Sequence, residues 1–352
     1  MTHISAAKTP AEIRDLRERH PEMRERDFAR IHGISEAELV AAQVGRTVIR
    51  LRPEVDTLLN GLPACGEVMA LTRNESAVHE KIGPFEKVVI GPRASMVLGA
   101  QIDMRIFPTR WAFGFAVEKA GEAGSVRRSL QFFDAQGMAI HKVHARPDTN
   151  MEAWDVLVTN LRHPEQGDAI TLTPAAAPEP MGEPAGVAEL RDRWSAMTDT
   201  HQFFGLLRDL NLPRLDALEM VGEDYAFEID HTAVATLFEQ SAATALPIMA
   251  FVGNPGCIQI HSGPVHNIKL MGPWLNVMDD TFHLHLRLDQ IAAVWAVRKP
   301  TSDGHVTSVE VYDAQRELII QFFGKREEGH DERAAWRELV EALPLPDQSN
   351  AA

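Results

Sequence analysis

The sequence predicts an α+β protein in which one unit is used twice, and three observations predict it. Helical patterns gather between about residues 10 and 46, and from Gly66 onward they give way to short β-rich runs. A block from Arg162 to Glu189, with Pro164, Pro174, Pro178, Pro180, Pro184 and an alanine run, has no apolar periodicity and reads as a linker. Beyond it the order repeats: Met23 to Gly45 aligns without gaps on Thr200 to Gly222. The division expected is an N-terminal repeat over 1–161, a linker over 162–189 and a C-terminal repeat over 190–352.

In the first repeat, helices are expected over Ala11–Arg17 and Glu22–Ile31, and Ser35-Glu36-Ala37-Glu38 opens a third with a capping-box pattern. Val48 to Leu59 reads as a short strand and a short helix. Strands follow at Met69–Thr72, Val78–Lys81, Val88–Ile90, Ile102–Phe107, Trp111–Val117, Leu130–Phe133 and Met138–His144, divided by Gly, Pro and Asn. Asn150 to Leu161 closes the repeat as a helix. In the second repeat Met249-Ala250 and Asn254 match Met69-Ala70 and Asn74, and Gly263-Pro264 matches Gly83-Pro84. Trp295 to Lys299 matches Phe115 to Lys119, Tyr312 to Gln315 matches Phe133 to Gln136, and Trp336 matches Trp154.

At 352 residues the chain is long enough for two substantial cores, and its 45% apolar and 24% charged content is that of an ordinary globular protein. A formal charge of -15 argues against non-specific nucleic-acid or anionic-membrane binding. Cys65 and Cys257 form no CxxC, so neither a disulfide framework nor a cysteine zinc site is indicated. No signal-peptide pattern or 18-residue apolar run is present, and a cytoplasmic protein without an integral membrane segment is expected.

The stretch Met197 to Arg208 places one histidine where a helix begins. Asp199 reads as N-cap with Gln202 completing a capping box, and Phe203, Leu206, Leu207 and Leu210 form the buried stripe. His201 lies off that stripe, on a face shared with Phe204, Gly205 and Arg208. An imidazole in a first helical turn is kept neutral by the positive potential there, as a metal ligand must be, and a mid-helix glycine leaves room beside it for something flat. Haem iron fits both features, whereas a solvated surface histidine accounts for the first alone. The internal repeat adds weight to the ligand reading beside the surface one, because His201 and Gly205 fall opposite Arg24 and Phe28, so the C-terminal copy has the histidine and the gap together.

Other constellations leave alternatives open. Phe282 to Asp289 alternates apolar residues with His283, His285, Arg287 and Asp289, and Gln101, Asp103, Arg105 and Phe107 line the matching face in the first repeat. Such faces suit either a dicarboxylate ligand or plain solvation. His283 and His285, with His261 and His266 nearby, also allow a non-haem metal or purely structural reading of the protein. His79 stands where the second repeat has Gln259 and is readable as a second haem ligand or as structural; His141 and His144 point to opposite strand faces. No phosphate loop, GxSxG elbow or HExxH helix is present.

Asp199 to Leu207, Thr72 to Glu75 with Val78 to Glu80, Asp103 to Phe107 and Val297 to Thr301 resemble, over nearly the whole chain, the bacterial HemS/HmuS/ChuS/PhuS family of cytoplasmic haem-handling proteins. The resemblance implies two repeated α+β halves, each a large antiparallel β-sheet flanked by helices, holding haem b in a cleft. It also implies His201 as axial iron ligand, Arg105 and Phe107 on the opposite side of the haem, and Arg214, Lys299 and Arg326 as propionate or pocket-wall contacts. His79 matches a histidine proposed as a further haem site in some relatives. A single histidine stands at the ligand position where some relatives carry neighbouring histidines, so a ligand-switching handover is not carried over.

The family divides between haem degradation and haem delivery. Degradation needs O2 opposite neutral His201, Arg105 to hydrogen-bond it, and electrons from an external donor, since no flavin or nicotinamide motif is visible. Delivery needs the same pocket and a separate haem oxygenase as partner; in both cases a haem-uptake transporter is the expected source.

Overall fold

The computed structural model describes residues 8–121, 124–175, 182–325 and 333–346. Helices α1 (Pro10–Arg19), α2 (Glu25–His32) and α3 (Glu36–Ala41) open the chain. Ser35 caps α3, accepting from the Glu38 amide while Glu38 accepts from that of Ser35, which is the capping box expected there. Then come β1 (Val48–Leu51), α4 (Val55–Gly61), β2 (Val68–Arg73), β3 (Ala77–Gly83), β4 (Val88–Val89), β5 (Ser95–Leu98) and β6 (Asp103–Ile106). Strands β7 (Phe113–Ala120), β8 (Val126–Phe133) and β9 (Ala139–Ala145) follow, with α5 (Met151–Leu161) capped by Asn150.

The second series repeats the first. It has α6 (Val187–Ser195), α7 (Gln202–Asp209), α8 (Arg214–Val221), β10 (Ala226–Ile229), α9 (Ala233–Thr244), β11 (Ile248–Asn254) and β12 (Cys257–Gly263). Next stand β13 (Ile268–Met271), β14 (Trp274–Met278), β15 (Phe282–Arg287), β16 (Ala293–Thr301), β17 (Gly304–Tyr312), β18 (Leu318–Gly324) and α10 (Ala334–Glu341). The ungapped alignment lays α2 on α7 residue for residue.

Two nine-stranded sheets have the orders β1-β7-β8-β9-β2-β3-β15-β14-β13 and β10-β16-β17-β18-β11-β12-β6-β5-β4, one pattern drawn twice. Their strands pair antiparallel, with Val48 opposite Val117 in one copy and Ala226 opposite Val297 in the other. The fold is therefore the duplicated antiparallel α+β architecture expected from the sequence.

Two compact units result. One comprises 1–73, 80–176 and 253–259; the other comprises 74–79, 177–252 and 260–352. The first is centred on Leu58, Phe132, Val143 and Trp154 and includes Cys257 in its core. The second is centred on Leu237, Phe238, Phe322 and Trp336 and includes Ala77. Asn74, just after β2, and Asn254, the last residue of β11, stand at the beginning of these exchanged segments. The Asn254 side chain accepts from the Gly256 and Cys257 amides and donates to the Ile140 carbonyl at 2.8 Å. Asn74 accepts from Ser76 and Ala77 and donates to Ile319 at 2.7 Å, so the matched asparagines do the same job in each unit.

The proline-rich stretch has no helix or strand over its described residues before Val187, yet its start is fastened down. Gln166 exchanges hydrogen bonds with both backbone groups of Arg50, and Asp168 pairs with Arg14 at 2.8 Å.

Candidate functional site

The loop before α7 fixes one imidazole. The Asp199 carboxylate accepts from the His201 backbone N–H at 2.8 Å and lies 2.7 Å from His201 Nδ1. Gln202 Oε1 in turn accepts from the Thr198 and Asp199 amides. The Asp199 capping expected from the sequence is thus corrected in detail. Its oxygen closes a turn two residues long, and the helix starts at Gln202 with His201 in the preceding position and no side-chain cap on the helix itself. His201 stands just outside the first turn rather than within it.

The exposed face of α7 carries the features that the spacing implied. The His201 side chain is 93% exposed and Phe204 is 75% exposed, the latter being a large apolar ring in water. A Cβ built at Gly205 would meet nothing within 4 Å, whereas its counterpart Phe28 is wholly buried against Ile13, Leu39 and Ala42. On the opposite side Phe203, Leu206, Leu207 and Leu210 pack with Trp194 and Leu218.

Phe203 joins α7 to a buried ionic network. Glu310, on β17, is fully buried and accepts a bidentate pair from Arg214 at 2.7 Å and 2.7 Å. Lys299 Nζ donates to it at 2.6 Å, Tyr312 at 2.7 Å and Gln321 at 3.1 Å. Both cations also sit on the Phe203 ring, Arg214 at 5.0 Å and Lys299 at 4.6 Å from its centroid. Burial raises the pKa of Glu310, but the attraction of Arg214 and Lys299 prevails and holds it well below the usual carboxylate range. Burial pushes Lys299 down to about 8; the Glu310 carboxylate opposes that fall and the neighbouring Arg214 charge adds to it. Two cations around one carboxylate leave a net positive charge, and Arg214, 26% exposed, is the member that meets solvent.

Arg214 and Lys299 were expected here, but Glu310, which joins them, was not singled out from the sequence. The signal was present in the alternation of Ser308, Glu310 and Tyr312 with Val309 and Val311, which puts a carboxylate on one face of a β-branched strand. By register that face continues through Gln321 and Phe323 to Phe251 and Met249. Phe251, Phe323 and Met249 are half-buried, with the two rings 5.0 Å apart. In the first copy the corresponding places hold Gln131, Lys142, His144, Leu71 and Met69. Desolvation there lowers Lys142 and takes His144 to about 4. On these matched faces the second unit has two phenylalanines where the first has Leu71 and His144, and a carboxylate where the first has Gln131.

Arg105 and Phe107 are half-buried in the first unit, and Arg105 is paired with Asp103. His79 is fully buried against the Phe282 ring at 5.0 Å, a place closed to solvent. Arg326 lies outside the described residues. His283 and His285 project on the half-buried face of β15, where His285 Nδ1 is 2.6 Å from Asn276 Oδ1. Among the described residues no group of three His, Cys, Asp or Glu is placed to hold a metal ion, and no helix is long and apolar enough to cross a membrane. His141 is buried beside Thr72 at 3.0 Å, an ordinary sheet residue.

Comparison with known proteins gives consistent matches. The domain described as haemin-degrading HemS.ChuX fits residues 33–161 and again 211–343. The hemin transport protein HmuS of Yersinia pestis is 40% identical over 92% of this chain and 94% of its own length. The structure of holo-PhuS, a heme-binding protein from Pseudomonas aeruginosa, superposes with a TM-score of 0.93 at 43% identity, covering 96% of this chain and 100% of that one. That of ChuS, an E. coli heme oxygenase, gives 0.85 at 36% identity over 95% and 98%.

Proposed function

This chain belongs to the family of haemin-degrading HemS.ChuX domains, and from that premise we propose that it is a cytoplasmic haem-binding protein of a haem-uptake system, with His201 as axial ligand to the iron. The observation that carries the reading is the α7 face: an exposed imidazole tied at Nδ1, next to an exposed phenylalanine and an open glycine. A neutral imidazole held by Nδ1 presents Nε2, the nitrogen an iron would take. The half-buried Met249, Phe251 and Phe323 suit the apolar macrocycle, and the net positive cluster at Arg214 suits its propionates.

Within this proposal Arg214 contacts a propionate directly. Lys299, committed to Glu310 and Phe203, acts by fixing the wall that Arg214 stands on. Parts for Arg105, Phe107 and Arg326 are proposed on the family resemblance alone, and buried His79 is left out of this site. Bound haem b would supply a Lewis-acidic iron and an oxidisable ring. The chain would supply the ligand, the orientation and the exclusion of water. The haem would then be degraded with electrons from an external donor, or passed to a separate haem oxygenase.

A haemin titration followed by absorbance tests this on the wild-type chain and on His201→Ala. One haem per chain with a sharp Soret band, lost or displaced in the variant, is expected. Identical spectra and affinities for the two proteins would remove His201 from the assignment. Replacing His283 and His285 together by alanine should leave haemin uptake intact, whereas the non-haem metal reading requires that metal binding be abolished. Ascorbate added under air then separates the two purposes: decay of the Soret band with release of CO or iron marks degradation, and persistence until an oxygenase is added marks delivery.

A further inference from the structure

We infer that Asp199 is the positioning residue of the iron site, fixing which nitrogen of His201 faces the metal and which way the ring points; this deepens the haem-binding reading and rests on it. The argument starts from exposure. A side chain 93% open to water has no packing to choose its rotamer or its tautomer. One oxygen of Asp199 does both, since it receives the His201 backbone N–H at 2.8 Å and lies 2.7 Å from Nδ1 of the same residue. The acceptor is itself held, because Gln202 Oε1 accepts from the amides of Thr198 and Asp199 at 2.9 Å and 3.3 Å. With the proton on Nδ1, the lone pair is on Nε2 and points away from the loop. A carboxylate at Nδ1 also makes the imidazole a stronger electron donor, and losing such an outer partner typically weakens metal binding roughly 10–100-fold. The first copy has no such device, with Glu22 and Arg24 where the second has Asp199 and His201.

The test has one arm that needs no haem. In the free protein, imidazole 15N shifts should assign the His201 proton to Nδ1 in wild type and to Nε2 in Asp199→Ala. Asp199→Asn, which retains an accepting oxygen without the charge, should keep the Nδ1 assignment. With haemin added, Asp199→Ala should bind roughly 10–100-fold more weakly. It should also raise the reduction potential of the bound iron, with Asp199→Asn between the two. Asp199 is a 59% exposed surface residue, so these changes leave the cores untouched. Unchanged nitrogen shifts in Asp199→Ala overturn the inference, whether or not affinity falls. If the wild-type chain took up no haemin, the haem reading would fail while the 15N shifts still decided the role of Asp199.

Discussion

Lys299 is the residue whose chemistry departs furthest from its sequence appearance. In a strand beginning Ala293-Val294-Trp295 it looks like an exposed lysine, yet its ammonium is buried on Glu310 and its pKa falls from 10.5 to about 8. Between those two values the unfolded chain holds a proton that the native chain has released. By linkage this group therefore makes stability rise with pH across that window. The stability difference between wild type and Lys299→Met, read as urea midpoints, should move in favour of wild type between pH 8 and 10.5; a difference flat in pH would show that Lys299 titrates like a surface lysine. The sequence made this position visible as a cation but hid its partner, because nothing in a single strand says that a glutamate on the next one is sealed from water. His201 was the opposite case: residue type and spacing singled it out as a candidate, and the Asp199 geometry came from the structure.

Among the elements, α7 was the most legible. Its buried stripe and its second face with Phe204, Gly205 and Arg208 follow from a period of 3.6 residues, and both are observed. The helix begins later than its capping pattern suggests, since an aspartate that satisfies the backbone two positions on competes with capping the helix. Strand Ser95–Leu98 was not foreseen, although it pairs with the expected run at Val88. A short strand between Pro92 and Gly99 carries too little alternation to stand out. The gap itself makes a prediction. Gly205→Ala adds a methyl that meets nothing, so it should stabilise the free protein by about 1 kcal/mol in thermal or urea unfolding. Gly205→Phe should leave the fold intact and weaken haemin binding strongly; wild-type affinity in that variant would show that the space beside the helix is not used.

For the molecule as a whole, the duplication was readable from matched residues such as Asn74 with Asn254 and Trp154 with Trp336. The exchange of segments was not, because register between distant strands leaves no local signature. Each core takes a residue from the other half of the sequence, Ala77 in one and Cys257 in the other. Unfolding should consequently be a single event, with tryptophan fluorescence and far-ultraviolet circular dichroism giving coincident urea transitions. Two separated transitions would mean that the exchanged segments contribute little. The same exchange bears on how the chain is made. The N-terminal unit lacks Gly253–Gln259 until translation is nearly half-way through the second repeat, a delay on the order of ten seconds at usual elongation rates. Over that interval the nascent first half carries an incomplete core, with the place of Cys257 unfilled and apolar surface open to water.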